Sequence, residues 1–187
     1  MRLGRPSKSL LLVGLRGVGK TVLLDDIRES AERVGAETLR IEAPENRSLP
    51  ALLAPQLRLA LLKLSHSEKA KAWAQKGLRA LSGFARALKV KYDDIEVGVD
   101  FEPEPGLADN GDLEQDLMAL LETVGVAARE GETAAILFID ELQYVDEDQL
   151  AALITGLHRC AQRNLPIGLV GAGLPQLRGR MGKAKSY

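Results

Sequence analysis

The sequence predicts an α/β domain built on a parallel sheet, and three observations support this prediction. Short apolar runs alternate along the chain with longer stretches of helical periodicity. The runs at residues 9–14 and 134–139 are almost continuously apolar, which is typical of strands buried on both faces. The chain has 187 residues, 45% of them hydrophobic, so it can form one domain with a buried core. Strands that alternate with helices give parallel sheets with right-handed crossovers.

The first third of the chain contains a strand, a helix, a second strand and a second helix. After the strand at 9–14, residues 20–34 show apolar side chains at helical spacing, and Gly35 ends that helix. Residues 37–42 alternate between polar and apolar, as a half-buried strand does. Residues 49–64 are predicted to be helical, with a proline in the first turn, where its missing N–H costs little.

Residues 65–104 are predicted to form an insertion that consists of an amphipathic helix and a β-hairpin. In the helix, residues 68–88, apolar side chains share one side. The opposite side carries four basic residues, Lys69, Lys76, Arg79 and Arg86. Residues 88–101 alternate around an Asp93-Asp94 turn, which predicts the hairpin.

The remaining elements alternate again between helix and strand. Residues 113–129 have helical spacing, and the strand at 134–139 is the most apolar of the chain. A helix is predicted at 146–163, because three acidic side chains at its start suit the positive end of a helix. Residues 166–171 are predicted to form a further strand, and Pro175 to open a last helix.

Charge is unevenly placed, although the net charge is only −1. Residues 1–91 carry 18 basic and 8 acidic side chains, residues 92–148 carry 1 and 18, and residues 149–187 carry 6 and none. A basic block can mark a nucleic-acid surface, but segments of opposite sign can also neutralise each other in the fold. We favour the second interpretation.

The composition argues against disulfides and membrane spans. The single cysteine, Cys160, leaves no disulfide framework and suits a reducing compartment. No stretch approaches the roughly 18 apolar residues that a spanning helix needs, and the short apolar run near the N-terminus lacks a signal-peptide cleavage pattern. A cytoplasmic protein without a membrane partner is expected.

Residues 14–21 match the pattern G-x-x-x-x-G-K-[ST] between a predicted strand and a predicted helix. The glycines let backbone N–H groups turn toward a phosphate, and the helix N-terminus adds positive potential. Lys20 would reach the β and γ phosphates, and the Thr21 hydroxyl would bind Mg²⁺. The residues predicted to hold the nucleotide are Gly14, Gly17, Val18, Gly19, Lys20, Thr21 and Val22.

A pair of acidic residues, Asp140 and Glu141, follows the strongest predicted strand. Ligands of open α/β sheets bind at the carboxyl edge, so Asp140 is placed to hold Mg²⁺ together with Thr21. Glu141 is predicted to orient and deprotonate the water that attacks the γ-phosphate, with Lys20 as the second catalytic residue. The two motifs together predict binding of a nucleoside triphosphate, and hydrolysis.

Three stretches resemble the AAA+ superfamily of P-loop ATPases: GLRGVGKTVLL at 14–24, FIDELQYV at 138–145 and LPIGLVGAGLP at 165–175. Over about residues 9–178 the chain resembles the AAA-like ATP-binding proteins of bacteria and archaea, which lie close to initiator-like and STAND signalling ATPases. The resemblance implies a three-layer P-loop fold with strand order 5-1-4-3-2. It also implies ATP and ADP as ligands, Mg²⁺ as cofactor, and a homo-oligomer that forms on nucleotide.

The chain departs from the family at the end of its fourth strand. That position usually offers a polar side chain that senses the γ-phosphate, whereas this sequence has Val170-Gly171-Ala172-Gly173. Slow hydrolysis is therefore expected, with Gln143 as a substitute contact. Four arginines are candidates for a finger that reaches a neighbour's ATP, although solvated helix-end arginines are the simpler interpretation: Arg159, Arg163, Arg178 and Arg180.

The whole chain, 1–187, is interpreted as a truncated ATPase core without the fifth strand and the helical lid of the family. The main hypothesis is a Mg²⁺-dependent ATPase that serves as the nucleotide switch of a larger protein. A non-hydrolysing STAND-type scaffold and a nucleic-acid-binding protein that uses the basic helix 68–91 remain alternatives. The motifs give no indication of a protein partner.

Overall fold

The computed structural model describes residues 9–95 and 101–179, and an α/β domain is seen there. The strands are β1 (Leu10–Val13), β2 (Glu37–Glu42), β3 (Ala135–Asp140) and β4 (Ile167–Gly173). The helices are α1 (Lys20–Arg33), α2 (Leu49–Leu64), α3 (Lys71–Leu88), α4 (Leu113–Glu130) and α5 (Glu147–Gln162). A 3₁₀ turn, Leu142–Tyr144, separates β3 from α5.

The four strands form one parallel sheet in the order β1-β4-β3-β2. Leu12 lies beside Ala172 across the β1–β4 pair, and Ile41 lies beside Ile139 across the β2–β3 pair. The predicted fold class is thus confirmed, and the sheet matches the 1-4-3-2 part of the expected order. Within the described ranges no fifth strand pairs with the outer edge of β1.

Helices cover both faces of the sheet, which gives three layers of unequal thickness. On one face α1 is the helix that, among the described residues, packs over a small core of Leu24, Phe138, Val170 and Ala172. On the other face α2, α4 and α5 pack over the strands, and α3 packs mainly on α2 and α4. Since apolar burial is the main driving force for folding, most of the stabilising core belongs to this second, helix-rich face.

The predicted hairpin at 88–101 is wrong in its first arm. Leu88 is fully buried and ends α3, and the N–H groups of Lys91 and Tyr92 donate to the Leu88 carbonyl at 3.0 and 2.8 Å. In a strand, Leu88 and Val90 would point to the same face. Val90 is 96% exposed, whereas Leu88 is buried as the last residue of the helix. Most of the second predicted arm, residues 96–100, lies outside the described residues.

Asp94, which was predicted in the hairpin turn, instead forms hydrogen bonds with the residue that precedes α2. Its carboxylate accepts from the Ser48 N–H at 2.8 Å and from the Ser48 hydroxyl at 2.7 Å. The Leu49 N–H donates to the Gln149 side chain at 2.6 Å. These bonds satisfy N–H groups that a helix N-terminus leaves without partners, and they tie α2 to the chain after α3 and to α5.

No helix within residues 9–95 and 101–179 is both long and apolar enough to cross a bilayer. The thiol of Cys160 is buried in α5, and this burial raises its pKa to about 12. The thiol is therefore protonated and unreactive at neutral pH.

Candidate functional site

The loops after β1 and β3 meet at the carboxyl edge of the sheet and enclose a cleft of about 500 Å³. The Gly14 N–H donates to the Gly173 carbonyl at 3.3 Å, so the loop after β1 starts beside the end of β4. The residues that line the cleft are Arg16, Gly17, Gly19, Lys20, Thr21 and Glu141. The fold thus brings together the glycine-rich loop and the acidic pair, although Thr21 and Asp140 are 119 residues apart in the sequence.

The glycine-rich loop has the backbone that its sequence predicts. Gly17 and Gly19 have φ of 78° and 86°, a region that L side chains rarely adopt. Gly19 is the N-cap of α1, where neither a capping side-chain hydrogen bond nor an acidic first-turn residue is present. A helix start of this kind, without a capping side chain or a nearby carboxylate, is suited to bind an anion.

Lys20 folds back over the loop. Its ammonium donates to the Leu15 carbonyl at 2.7 Å. Arg16, which also lines the cleft, donates to the Tyr144 hydroxyl at 2.8 Å. Two cations, Arg16 and Lys20, thus stand in the cleft beside the Glu141 carboxylate, and the Arg16–Tyr144 bond links the loop after β1 to the turn after β3.

Asp140, the last residue of β3, is 3% exposed and accepts from the Thr21 hydroxyl at 2.7 Å. A hydroxyl and a carboxylate are the hard oxygen donors that Mg²⁺ prefers, so this pair fits the predicted metal. No group of three or more His, Cys, Asp or Glu residues in the described ranges could hold a metal ion. Two protein oxygens suit Mg²⁺, which commonly completes its shell with water and phosphate oxygens.

Arg40 of β2 was not singled out from the sequence, yet its guanidinium lies 3.6 Å from the Asp140 carboxylate. It also contacts Asp25 of α1 at 2.9 Å and the Ile41 carbonyl at 2.8 Å. The hydrogen bond from Arg40 is the main cause that lowers the pKa of Asp25 below its ordinary value. The sequence signal was a single arginine inside a short strand, which is too weak to identify a site residue.

Glu141 lines the cleft, and its backbone is left-handed, with φ 54° and ψ 37°. Its N–H donates to the Asp140 carboxylate at 2.9 Å. A non-glycine residue in this conformation is strained and turns the chain sharply. Glu141 thus lines the same cleft as the glycine-rich loop.

Gln143, expected as a substitute contact, is 3% exposed and lies beside the acidic pair. Its amide nitrogen donates to the Glu141 carboxylate, and its amide oxygen accepts from the Leu174 N–H at 3.0 Å. The end of β4 itself offers no polar side chain, as its sequence indicates, and Gly171 and Gly173 are both buried.

The predicted nucleotide-binding residues divide into two groups. Gly17, Gly19, Lys20 and Thr21 line the cleft. Gly14, Val18 and Val22 stand beside it, with Val18 62% and Val22 68% exposed. The assignment of these residues to a nucleotide remains a prediction.

Two of the candidate finger arginines are engaged within the chain. Arg159 contacts Glu122 of α4 at 3.0 Å, and Arg163 forms an ion pair with the same carboxylate. Both lie at the end of α5, which leads away from the cleft edge toward the start of β4. Arg178 follows β4, and Arg180 lies outside the described residues.

Basic residues of α3 and of the turn before it are partly neutralised by the acidic middle of the chain. Lys69 contacts Glu132 at 2.7 Å, and Arg79 contacts Glu104 at 2.7 Å. The Lys76 ammonium lies over the Trp73 ring, 5.2 Å from its centroid. These pairs agree with the interpretation that segments of opposite charge compensate each other.

Comparison with family models gives a match to the model described as AAA ATPase domain, over residues 1–170. That range contains the glycine-rich loop, the acidic pair and the start of β4. Comparisons with curated proteins and with solved structures give no significant match.

Proposed function

The chain belongs to the AAA ATPase domain family, and from that premise we propose that it binds ATP with Mg²⁺ and hydrolyses it to ADP and phosphate. In this proposal the domain is the nucleotide switch of a larger cytoplasmic protein. The observation that carries the proposal is the 2.7 Å contact between the Thr21 hydroxyl and the Asp140 carboxylate. It joins the phosphate-binding loop to the acidic pair where Mg²⁺ and the γ-phosphate would lie.

The loop and the start of α1 would bind the phosphates. Backbone N–H groups between Gly17 and Thr21 would donate to phosphate oxygens, as they do at other helix N-termini. Lys20 would exchange its bond to the Leu15 carbonyl for bonds to the β and γ phosphates. Exchange of one acceptor for another keeps the ammonium satisfied in both states.

Thr21 and Asp140 would hold Mg²⁺, which would neutralise charge on the β and γ phosphate oxygens. Glu141 would orient the attacking water and accept its proton on the carboxylate that lines the cleft. We expect turnover to be slow, because β4 offers no polar side chain to the γ-phosphate.

A calorimetric titration with ATP, ADP and GTP in Mg²⁺ tests the binding step. We expect saturable binding of adenine nucleotides that Lys20→Ala weakens by at least about a hundredfold, since it removes a charged phosphate contact. Lys89→Ala, which removes an exposed lysine in the turn after α3, is the matched control and should bind normally. Absence of binding by the folded wild-type protein would refute the proposal.

Phosphate release tests the hydrolytic step. Glu141→Gln should lower kcat by about 10² to 10⁴, the range for a lost general base, with little change in the Kd for ATP. Equal kcat values for wild type and variant would contradict a catalytic Glu141.

The glycine-rich end of β4 favours a second candidate, a scaffold that retains nucleotide without turnover. It predicts tight binding of ADP and no difference between wild type and Glu141→Gln in any assay of the larger protein's function. Measurable phosphate release that depends on Glu141 would exclude it.

A further inference from the structure

Gln143 is a buried polar residue whose carboxamide nitrogen and oxygen both form hydrogen bonds. It lies in the turn between β3 and α5 and is 3% exposed. Its nitrogen donates to the Glu141 carboxylate, and its oxygen accepts the Leu174 N–H at 3.0 Å. Glu141 stands in the cleft, while Leu174 is the first residue after β4. One side chain therefore bridges the candidate catalytic carboxylate and the backbone of a different segment.

The end of β4 leaves space for this bridge. A Cβ atom on Gly173 would lie 2.9 Å from the Gln143 amide oxygen, closer than real Cβ contacts come. The same atom would lie 2.9 Å from a methyl carbon of Leu177, which is fully buried. The missing polar side chain on β4 and the presence of Gln143 are thus two parts of one arrangement, because the amide occupies the space that a strand-end side chain would need.

The turn holds the carboxamide in place. The left-handed backbone of Glu141 reverses the chain, and the Tyr144 N–H donates to the Glu141 carbonyl at 3.0 Å. Leu142 is fully buried against Gly171, where a Cβ would lie 2.3 Å from its methyl carbon. With the backbone and the neighbouring side chain fixed, the Gln143 carboxamide is held beside Glu141 and Leu174.

We propose that Gln143 is a positioning residue that fixes the Glu141 carboxylate and couples it to residues 174–179. The coupling rests on the proposed function, in which Glu141 acts on the attacking water. In this role Glu141 keeps one carboxylate oxygen on the carboxamide and presents the other to the water, so a shift of the carboxylate moves the carboxamide and its bond to the Leu174 N–H. The state of the phosphate site thereby reaches the segment after β4.

Amide hydrogen exchange at Leu174, measured by NMR on the ligand-free protein, tests the coupling without any nucleotide. Gln143→Met keeps the volume but removes both hydrogen bonds, so it should accelerate Leu174 exchange about tenfold, as loss of one buried bond predicts. Amides inside β4 should keep their rates. Gln75→Ala, at an exposed glutamine of α3, is the control variant and should change neither.

The decisive comparison uses two variants of Glu141. Glu141→Met removes the acceptor and should also accelerate Leu174 exchange, by about threefold or more. Glu141→Gln retains an oxygen acceptor at the same strained backbone position and should preserve the wild-type rate. In the Gln143→Met background, Glu141→Met should add nothing, because the two residues act as a unit. If the amide exchange rate at Leu174 is the same in Glu141→Met as in wild type, the proposal is overturned.

A turnover assay separates this inference from the proposed function. Gln143→Met should lower kcat about tenfold and leave the KM for ATP within about twofold, since it misplaces Glu141 without touching the phosphates. Unchanged kcat would overturn the positioning role. If wild type neither binds nor hydrolyses ATP, the proposed function fails, and the exchange comparison on the ligand-free protein still decides whether Gln143 couples Glu141 to Leu174.

Discussion

The two faces of the sheet differ in what they contribute. The helix-rich face buries leucines from four helices, such as Leu53, Leu81, Leu117 and Leu153. The α1 face has a core of four buried residues, and α1 leaves Leu23 48% and Val22 68% exposed. The α1 face nevertheless carries the polar cluster of Thr21, Asp140, Arg40 and Asp25.

This difference teaches that the large core and the polar cluster are placed on opposite sides of one sheet. Alternation along β3 explains how: Leu137 and Ile139 face the large core, while Phe138 and Asp140 face α1. The charged cluster therefore disturbs little of the large core. Gln143, by contrast, lies near Leu177 at the end of β4, on the side of the large core.

A pair of truncations gives the largest effect and tests the division directly. Leu117→Ala, in the large core, should lower the free energy of unfolding by about 3 kcal/mol and leave the Kd for ATP within twofold. Leu24→Ala, in the small core, should cost about 2 kcal/mol, since its partly exposed surroundings collapse more easily, and it should weaken ATP binding because it loosens α1. Urea unfolding and calorimetry measure the two quantities. Equal effects of both variants on ATP binding would break the comparison.

A smaller effect is expected from the charge of Arg40. Its guanidinium partly neutralises the Asp140 carboxylate at 3.6 Å. Arg40→Met should therefore strengthen Mg²⁺ binding about three- to tenfold, a size typical of one partly exposed charge. The measurement is the Mg²⁺ dependence of nucleotide affinity. Lys63→Met, at an exposed ion pair with Glu37, is the control. Weaker Mg²⁺ binding in Arg40→Met would show that Arg40 supports the metal ligands instead.

The smallest effect concerns acid stability. Hydrogen bonds and charge from Arg40 lower the pKa of Asp25 in the folded state. A carboxyl group with a lowered folded pKa stabilises the fold above its unfolded pKa and loses this contribution as pH falls through the folded value. The free energy of unfolding should thus decrease below about pH 4, and it should decrease less in Asp25→Asn over that range. Thermal unfolding between pH 3 and 6 tests this. Asp25 is partly exposed. If stability declines identically in wild type and Asp25→Asn, Asp25 does not contribute to the acid dependence.

The sheet and the glycine-rich loop could be predicted from sequence, because apolar runs and glycine positions are local patterns. The first arm of the hairpin could not, since apolar residues at 88, 90 and 92 fit alternation as well as a helix that ends at Leu88. Only the packed structure shows that Val90 is exposed. The spacing of these apolar residues carries no information about which neighbouring elements cover them.

The polar partners of the site were harder to predict, because they depend on strand order. Arg40 reaches Asp140 only because β2 and β3 are neighbours in a fixed register, and Gln143 reaches Leu174 only because β4 lies beside β3. Thr21 and Asp140 were expected to lie close together from sequence, since each belongs to a recognisable motif, and their side chains are in contact. Arg40 is one charge in a short strand, and Leu174 takes part through its backbone N–H, so sequence reasoning missed both contacts.

Cys160 has a practical consequence for experiments on this protein. It is the single thiol of the chain, it is buried, and its pKa of about 12 keeps it protonated. Maleimide reagents require an accessible thiolate, so the native protein should remain unlabelled in its folded state. A cysteine introduced at exposed Gln176 would then accept a fluorophore selectively and report on the segment after β4 without removal of the natural residue.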